Sequence, residues 1–93
     1  MLTLPSVLTH LVAAQLAPGL KQAVLADPGE VVVDASALRQ FDSSALAVLL
    51  ECRRLALAGG KAFSVHEAPE RLLGLASLYG VAELISSTAA ASA

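Results

Sequence analysis

Glu30-Val31-Val32-Val33-Asp34, followed by Phe41-Asp42-Ser43-Ser44-Ala45-Leu46-Ala47-Val48-Leu49-Leu50, decides how this chain folds. Three successive β-branched valines without alternation predict a strand buried on both faces, as in the middle of a mostly parallel sheet. The second stretch predicts a helix from about Ser43 to Ala58. Asp42 is suited to accept a hydrogen bond from a free first-turn N–H, and Gly59-Gly60 terminates the helix. The residues between, Ala35 to Phe41, read as a loop.

Working toward the C-terminus, Lys61-Ala62-Phe63-Ser64-Val65-His66 predicts the next strand. Pro69 stands where a first-turn proline belongs, and Glu70 to Leu78 predicts a helix ending before Gly80. Val81-Ala82-Glu83-Leu84-Ile85 fits a short strand or a helical turn, and Ser86 to Ala93, all small residues, reads as a flexible tail. Toward the N-terminus, Leu2-Thr3-Leu4 alternates as a half-buried strand that Pro5 ends or marks as an edge. Leu11, Val12, Leu16, Leu20 and Val24 recur at helical spacing, with Thr9 as the N-cap. Pro18-Gly19 is expected to split or kink that helix, and Asp27-Pro28-Gly29 closes it.

Alternation of strands and helices implies an α/β fold with parallel strands joined by crossovers. About four strands and three to four helices are expected. A length of 93 residues allows one domain, with its core over about residues 2–85.

Composition narrows the function. Hydrophobic residues make up 56% of the chain and charged residues 15%, so apolar side chains must line an ample core or leave a patch for a partner. Homodimerisation of the isolated chain is one outlet for that surplus. Six basic residues against eight acidic ones give a net charge of −2, which argues against nucleic acid. The uncharged run from Met1 to Leu20 is interrupted by Pro5, Thr9, His10, Gln15 and Pro18. It reads as folded structure of a cytoplasmic protein rather than a membrane span. Cys52, the only cysteine, lies in an apolar helical run and reads as a small buried hydrophobe.

Catalytic and metal-binding patterns fail. No glycine-rich phosphate loop follows the valine strand, and His10 and His66 share no metal-ligand spacing with Cys52. Ser43, His66 and Asp34 supply the side chains of a hydrolytic triad, but spacing does not encode the geometry that defines one. No enzyme, cofactor or metal is expected. The turn Asp42-Ser43-Ser44 is more informative. Ser43 and Ser44 fall in the first helical turn, where N–H groups are unpaired and the dipole is positive. Ser43, Ala47, Leu50 and Arg54 then follow one helical row at steps of three and four. That row is either a docking ridge or an ordinary solvated face, and the pattern alone does not choose.

The segment Asp34-Ala35-Ser36-Ala37-Leu38 with Phe41-Asp42-Ser43-Ser44-Ala45-Leu46-Ala47-Val48-Leu49-Leu50 resembles the signature of STAS domains. Gly59-Gly60-Lys61 and Pro69-Glu70-Arg71-Leu72-Leu73 through Leu78-Tyr79-Gly80-Val81 fit the rest of the pattern. Glu51-Cys52-Arg53-Arg54 extends the likeness toward the MlaB-type branch, the small cytoplasmic subunits of phospholipid-transporting ABC systems that maintain outer-membrane lipid asymmetry. The resemblance implies a non-catalytic protein, peripheral to an inner-membrane transporter, that binds the complex's ATPase subunit and supports its assembly and activity. It maps the family's functional Ser or Thr onto Ser43, as partner contact or phosphosite. Asp42, Ser44, Ala47, Leu50 and Arg54 would support the contact. The alternative branch, the anti-sigma-factor antagonists, implies a switch phosphorylated at Ser43. Ala45 stands where antagonists usually carry Gly, which favours the transporter branch. Only one strand is evident before the first helix, where many STAS domains have two.

Overall fold

The computed structural model describes residues 2–27 and 29–85. Among the described residues five strands, three α-helices and one 3-10 helix follow one another. They are β1 (Leu2–Thr3), β2 (Val7–Leu8), α1 (His10–Ala26), β3 (Glu30–Asp34), β4 (Gln40–Phe41), α2 (Ser44–Ala58), β5 (Ala62–His66), α3 (Glu70–Leu78) and the 3-10 turn Ala82–Leu84. The expected single sheet is instead divided. One sheet has the order β1-β3-β5, a second contains only β2 and β4, and every pairing is parallel. Parallel neighbours need long crossovers, and α1 and α2 supply them between β1, β3 and β5.

Register explains which valines are buried. Leu2 pairs with Val33, Val33 with Val65, and Val31 with Phe63, so these side chains share one face. Val31, Val33 and Val65 are fully buried there, and α2 packs against β3 and β5. The predicted burial of β3 on both faces holds only in part. Val32 points the other way with Ser64 and is half-buried, and Glu30 is exposed. Small or polar partners at Ala62, Ser64 and His66 leave that face less apolar than the valine run alone implies.

The core is aliphatic, as the scarcity of aromatics requires. Leu4, Leu8, Leu38, Leu49, Leu72 and Ile85 are its largest buried side chains. Each contributes about 1.5–3 kcal/mol by leaving water.

Two expectations for α1 are corrected. The helix runs through Pro18 without a break. The proline removes the N–H that would bond the Ala14 carbonyl, but Ala14, Ala17, Pro18 and Gly19 all face solvent, where water satisfies that group. Leu11, placed by spacing in the apolar stripe, is 75% exposed. The inward stripe runs instead through Ala13, Leu16, Leu20 and Val24.

The segment Ala35 to Phe41 is not wholly a loop, because Gln40–Phe41 pairs with Val7–Leu8. A second strand before α1 therefore exists. Pro69 precedes α3 at its N-cap position with an extended ψ of 148°, rather than lying in the first turn. Its carbonyl accepts from Leu72 and Leu73 and so starts the helix. At the other end of α2, Gly60 adopts φ +71°, and Lys61 N–H bonds Ala56 O at 2.8 Å, the six-to-one closure that only a left-handed residue permits easily. Of the expected turn Asp27-Pro28-Gly29, Pro28 lies outside the described residues, as does the expected tail from Ser86 onward.

Candidate docking site

The turn into α2 is built around one carboxylate. Although α2 is assigned from Ser44, Ser43 is already helical at φ −62°, ψ −15°. Asp42 is the capping residue: its Oδ1 accepts the Ser44 N–H at 2.8 Å and its carbonyl accepts the Ala45 N–H at 3.0 Å. Oδ2 accepts the N–H of His10, at the start of α1, at 3.2 Å. The Ser44 N–H above all, then the Ser44 hydroxyl and the His10 N–H, hold the Asp42 carboxyl below the usual carboxylate range. The carboxylate is thus ionised and committed to two helix starts.

Ser43 itself is exposed. Among the described residues its hydroxyl has no hydrogen-bond partner, so it is available to an incoming group. Along the same helical row Ala47 is exposed, Leu50 half-buried and Arg54 exposed, while Ala45, Leu46, Val48, Leu49 and Cys52 turn into the core. The row is therefore a surface of small and aliphatic groups next to the serine. Arg54 is not a free cation at its rim. Its Nε and Nη2 donate to the Glu51 carboxylate at 2.9 and 2.6 Å, a two-point pair between exposed side chains that raises the Arg54 pKa and lowers that of Glu51. Such pairs add little stability.

Local pattern missed the second wall. At the end of α3, Leu78 is 84% and Tyr79 61% exposed, unusual for large apolar side chains standing together. Gly80, at φ +71°, turns the chain there, and Val81 N–H returns to Ala76 O at 2.9 Å. This places Tyr79 and Val81 across a groove from Ser43, Leu46, Ala47 and Leu50. A second hollow, on the other side of Ser43, is lined by Asp42, Arg71, Leu75 and Leu78. The Arg71 guanidinium stands 5.1 Å from the centre of the Phe41 ring, close enough for a cation–π contact that orients it. No periodicity connects Tyr79 to Ser43; only the tertiary fold, which brings the Tyr79–Val81 turn to the groove along α2, does.

The remaining sequence candidates separate. Asp34 and His66 face one another across β3 and β5, and Asp34 accepts the Ser36 N–H at 2.9 Å, which lowers its pKa. Among the described residues neither imidazole is hydrogen-bonded to Ser43, so the paper triad is not assembled. Cys52 is fully buried, and loss of solvation pushes its thiol up to about 11, the behaviour of an inert core side chain. Among the described residues no three His, Cys, Asp or Glu side chains gather as a metal site, and no helix is long and apolar enough to cross a membrane.

Parallel βαβ units, with an exposed serine at the capped start of the second helix, define a STAS-type architecture. Residues 1–86 match the family model described as "Mlab, STAS domain", and the chain belongs to that family. Among curated proteins none matches the chain.

Proposed function

We propose that this protein is a non-catalytic STAS subunit that docks onto the cytoplasmic ATPase of a phospholipid-transport ABC complex and supports its assembly and activity. The observation that carries the reading is the exposed Ser43, with a free hydroxyl, at the head of an apolar groove walled by Ala47 and Leu50 on one side and Tyr79 on the other. Family membership with the Mlab description supports the choice of partner. Small residues on α2 let a partner approach the backbone closely, and Leu50 with Tyr79 supplies the apolar centre that interfaces require. Arg54, already paired with Glu51, belongs to the rim.

Titration of the purified ATPase subunit with this chain tests the reading. Binding is expected for the wild type, and Ser43→Glu is expected to weaken it at least ~10-fold by placing charge and bulk in a desolvated contact. Equal affinities for the two proteins would overturn it.

A second reading draws on the position of Ser43 at a helix N-terminus, in a hollow shared with Arg71. Both features favour a phosphate on the serine, as an anti-sigma-factor antagonist requires. Intact mass of the native protein discriminates. A regulated phosphate adduct supports the switch, and its absence under all growth conditions supports the transporter subunit.

A further inference from the structure

α1 has no cap of its own. Thr9 occupies the N-cap position in extended backbone, yet its hydroxyl makes no capping bond. The N–H of His10 reaches instead across 32 residues of sequence to Asp42. The two helix starts are also joined one step earlier in the chain. β2 leads through Thr9 into α1, β4 leads through Asp42-Ser43 into α2, and β2 and β4 pair with each other alone. Ser6 O accepts the N–H groups of Arg39 and Gln40 at 2.8 and 3.0 Å, which fixes the same junction. A ladder of two residues per strand is weak by itself. The Asp42 carboxylate completes it, with one oxygen on each helix.

We propose that Asp42 is the positioning residue of the docking site: it joins the Ser43 turn and the first turn of α1 into one unit, so that charge placed at residue 43 is transmitted to His10. The proposal rests on reading Ser43 as the contact residue, but it concerns how that residue is held rather than what it binds. The Ser43 turn cannot shift without moving Asp42, and Asp42 cannot move far without releasing His10. An anionic group at residue 43 competes for the same first-turn N–H groups and repels the carboxylate. The charged or titratable groups facing this junction are the His10 imidazole, Arg71 beside Asp42 and Ser43, and Glu51 on the α1–α2 groove that His10 also lines. The exposed Leu11 follows directly from the transmitted turn, so a partner that contacts Ser43 senses the start of α1 as well.

Amide NMR of the isolated full chain tests this without any partner. The His10 and Ser44 amides are expected to shift on acidification with one shared midpoint, and Asp42→Asn is expected to abolish that transition at both. Ser43→Glu is expected to move the His10 and Leu11 amides, and in the Asp42→Asn background that movement should fall at least ~5-fold, as a broken pairwise coupling requires. A His10 amide indifferent to the transition seen at Ser44, or an equal response in both backgrounds, would overturn the proposal. Should Asp42→Asn fray α1, adding Thr9→Asp gives the helix a local cap and restores the readout. Transmission must then stay absent, and its return would contradict the proposal. If the ATPase fails to bind while transmission is intact, the docking reading falls and this one stands. If Ser43→Glu abolishes binding with no response at His10, the reverse holds.

Discussion

The two ends of α1 solve the same problem with opposite charges. At its N-terminus the missing cap is supplied by the Asp42 carboxylate. At its C-terminus no basic residue stands in the last turn, and Lys61, from the chain just before β5, supplies the donor. Its Nζ donates to the carbonyls of Val24 and Leu25 at 3.1 and 3.0 Å and to that of Asp27. Both charges complement the helix dipole. What differs is the setting. The ammonium of a half-buried Lys61 closes only α1 against the glycine turn after α2. Asp42 closes two helices at once and is exposed beside Ser43, the residue that lines both hollows. Lys61 thus serves stability alone, whereas Asp42 also holds the proposed docking surface.

The largest expected effect breaks the C-terminal end. Lys61→Met keeps the aliphatic stem but leaves the last carbonyls of α1 without their donor, and should cost about 1–2 kcal/mol. Urea denaturation reads that loss, and the amide spectrum around Ser43 should not change. Next in size, Thr9→Asp gives α1 its own cap in backbone already suited to one, for a gain of about 0.5–1 kcal/mol in the same assay.

A smaller effect is expected from acid. Asp42 and Asp34, each bonded to backbone N–H groups, and Glu51, bonded to Arg54, all have folded pKa values below their unfolded ones. Their stabilisation is complete above the unfolded carboxylate pKa of about 4 and is lost as pH falls through the folded values. Denaturation midpoints measured from pH 6 downward should therefore drop below about pH 4, and Asp42→Asn should flatten part of that slope. Glu51→Gln, which removes only an exposed pair on α2, should lower the neutral-pH midpoint only slightly. Cys52 supplies a control for global unfolding. Its buried, protonated thiol should react with a disulfide reagent only as fast as the chain opens.

Local chemistry made much of this legible. β3, α2, Gly59-Gly60, β5 and α3 each carry a strong signal in a few adjacent residues: a valine run, an apolar period, a left-handed glycine. β2 and β4 do not. Two residues each give no measurable alternation, and Gln40 is not a strand former, so only their mutual pairing makes them strands. Pro18 misled because a proline on the solvent side of a helix breaks less than one facing the core. At the site, Asp42 as a cap was evident from sequence, but its bond to His10 was not, since nothing local links residues 32 positions apart. Tyr79 and Leu78 escaped for the same reason. They lie at the end of α3, where the local pattern gives no hint that the chain comes to hollows shared with Ser43.

Affinity for the ATPase subunit, measured with variants at both ends, tests the central claim most directly. Ser43→Glu and Tyr79→Ala change the two walls of the groove, whereas Leu25→Ser removes a half-exposed leucine at the Lys61 end. The account predicts at least ~10-fold weaker binding for each of the first two and no change for the third, since loss of a central anchor exceeds about 1.4 kcal/mol. Wild-type affinity for Ser43→Glu and Tyr79→Ala, or an equal loss for Leu25→Ser, would contradict it.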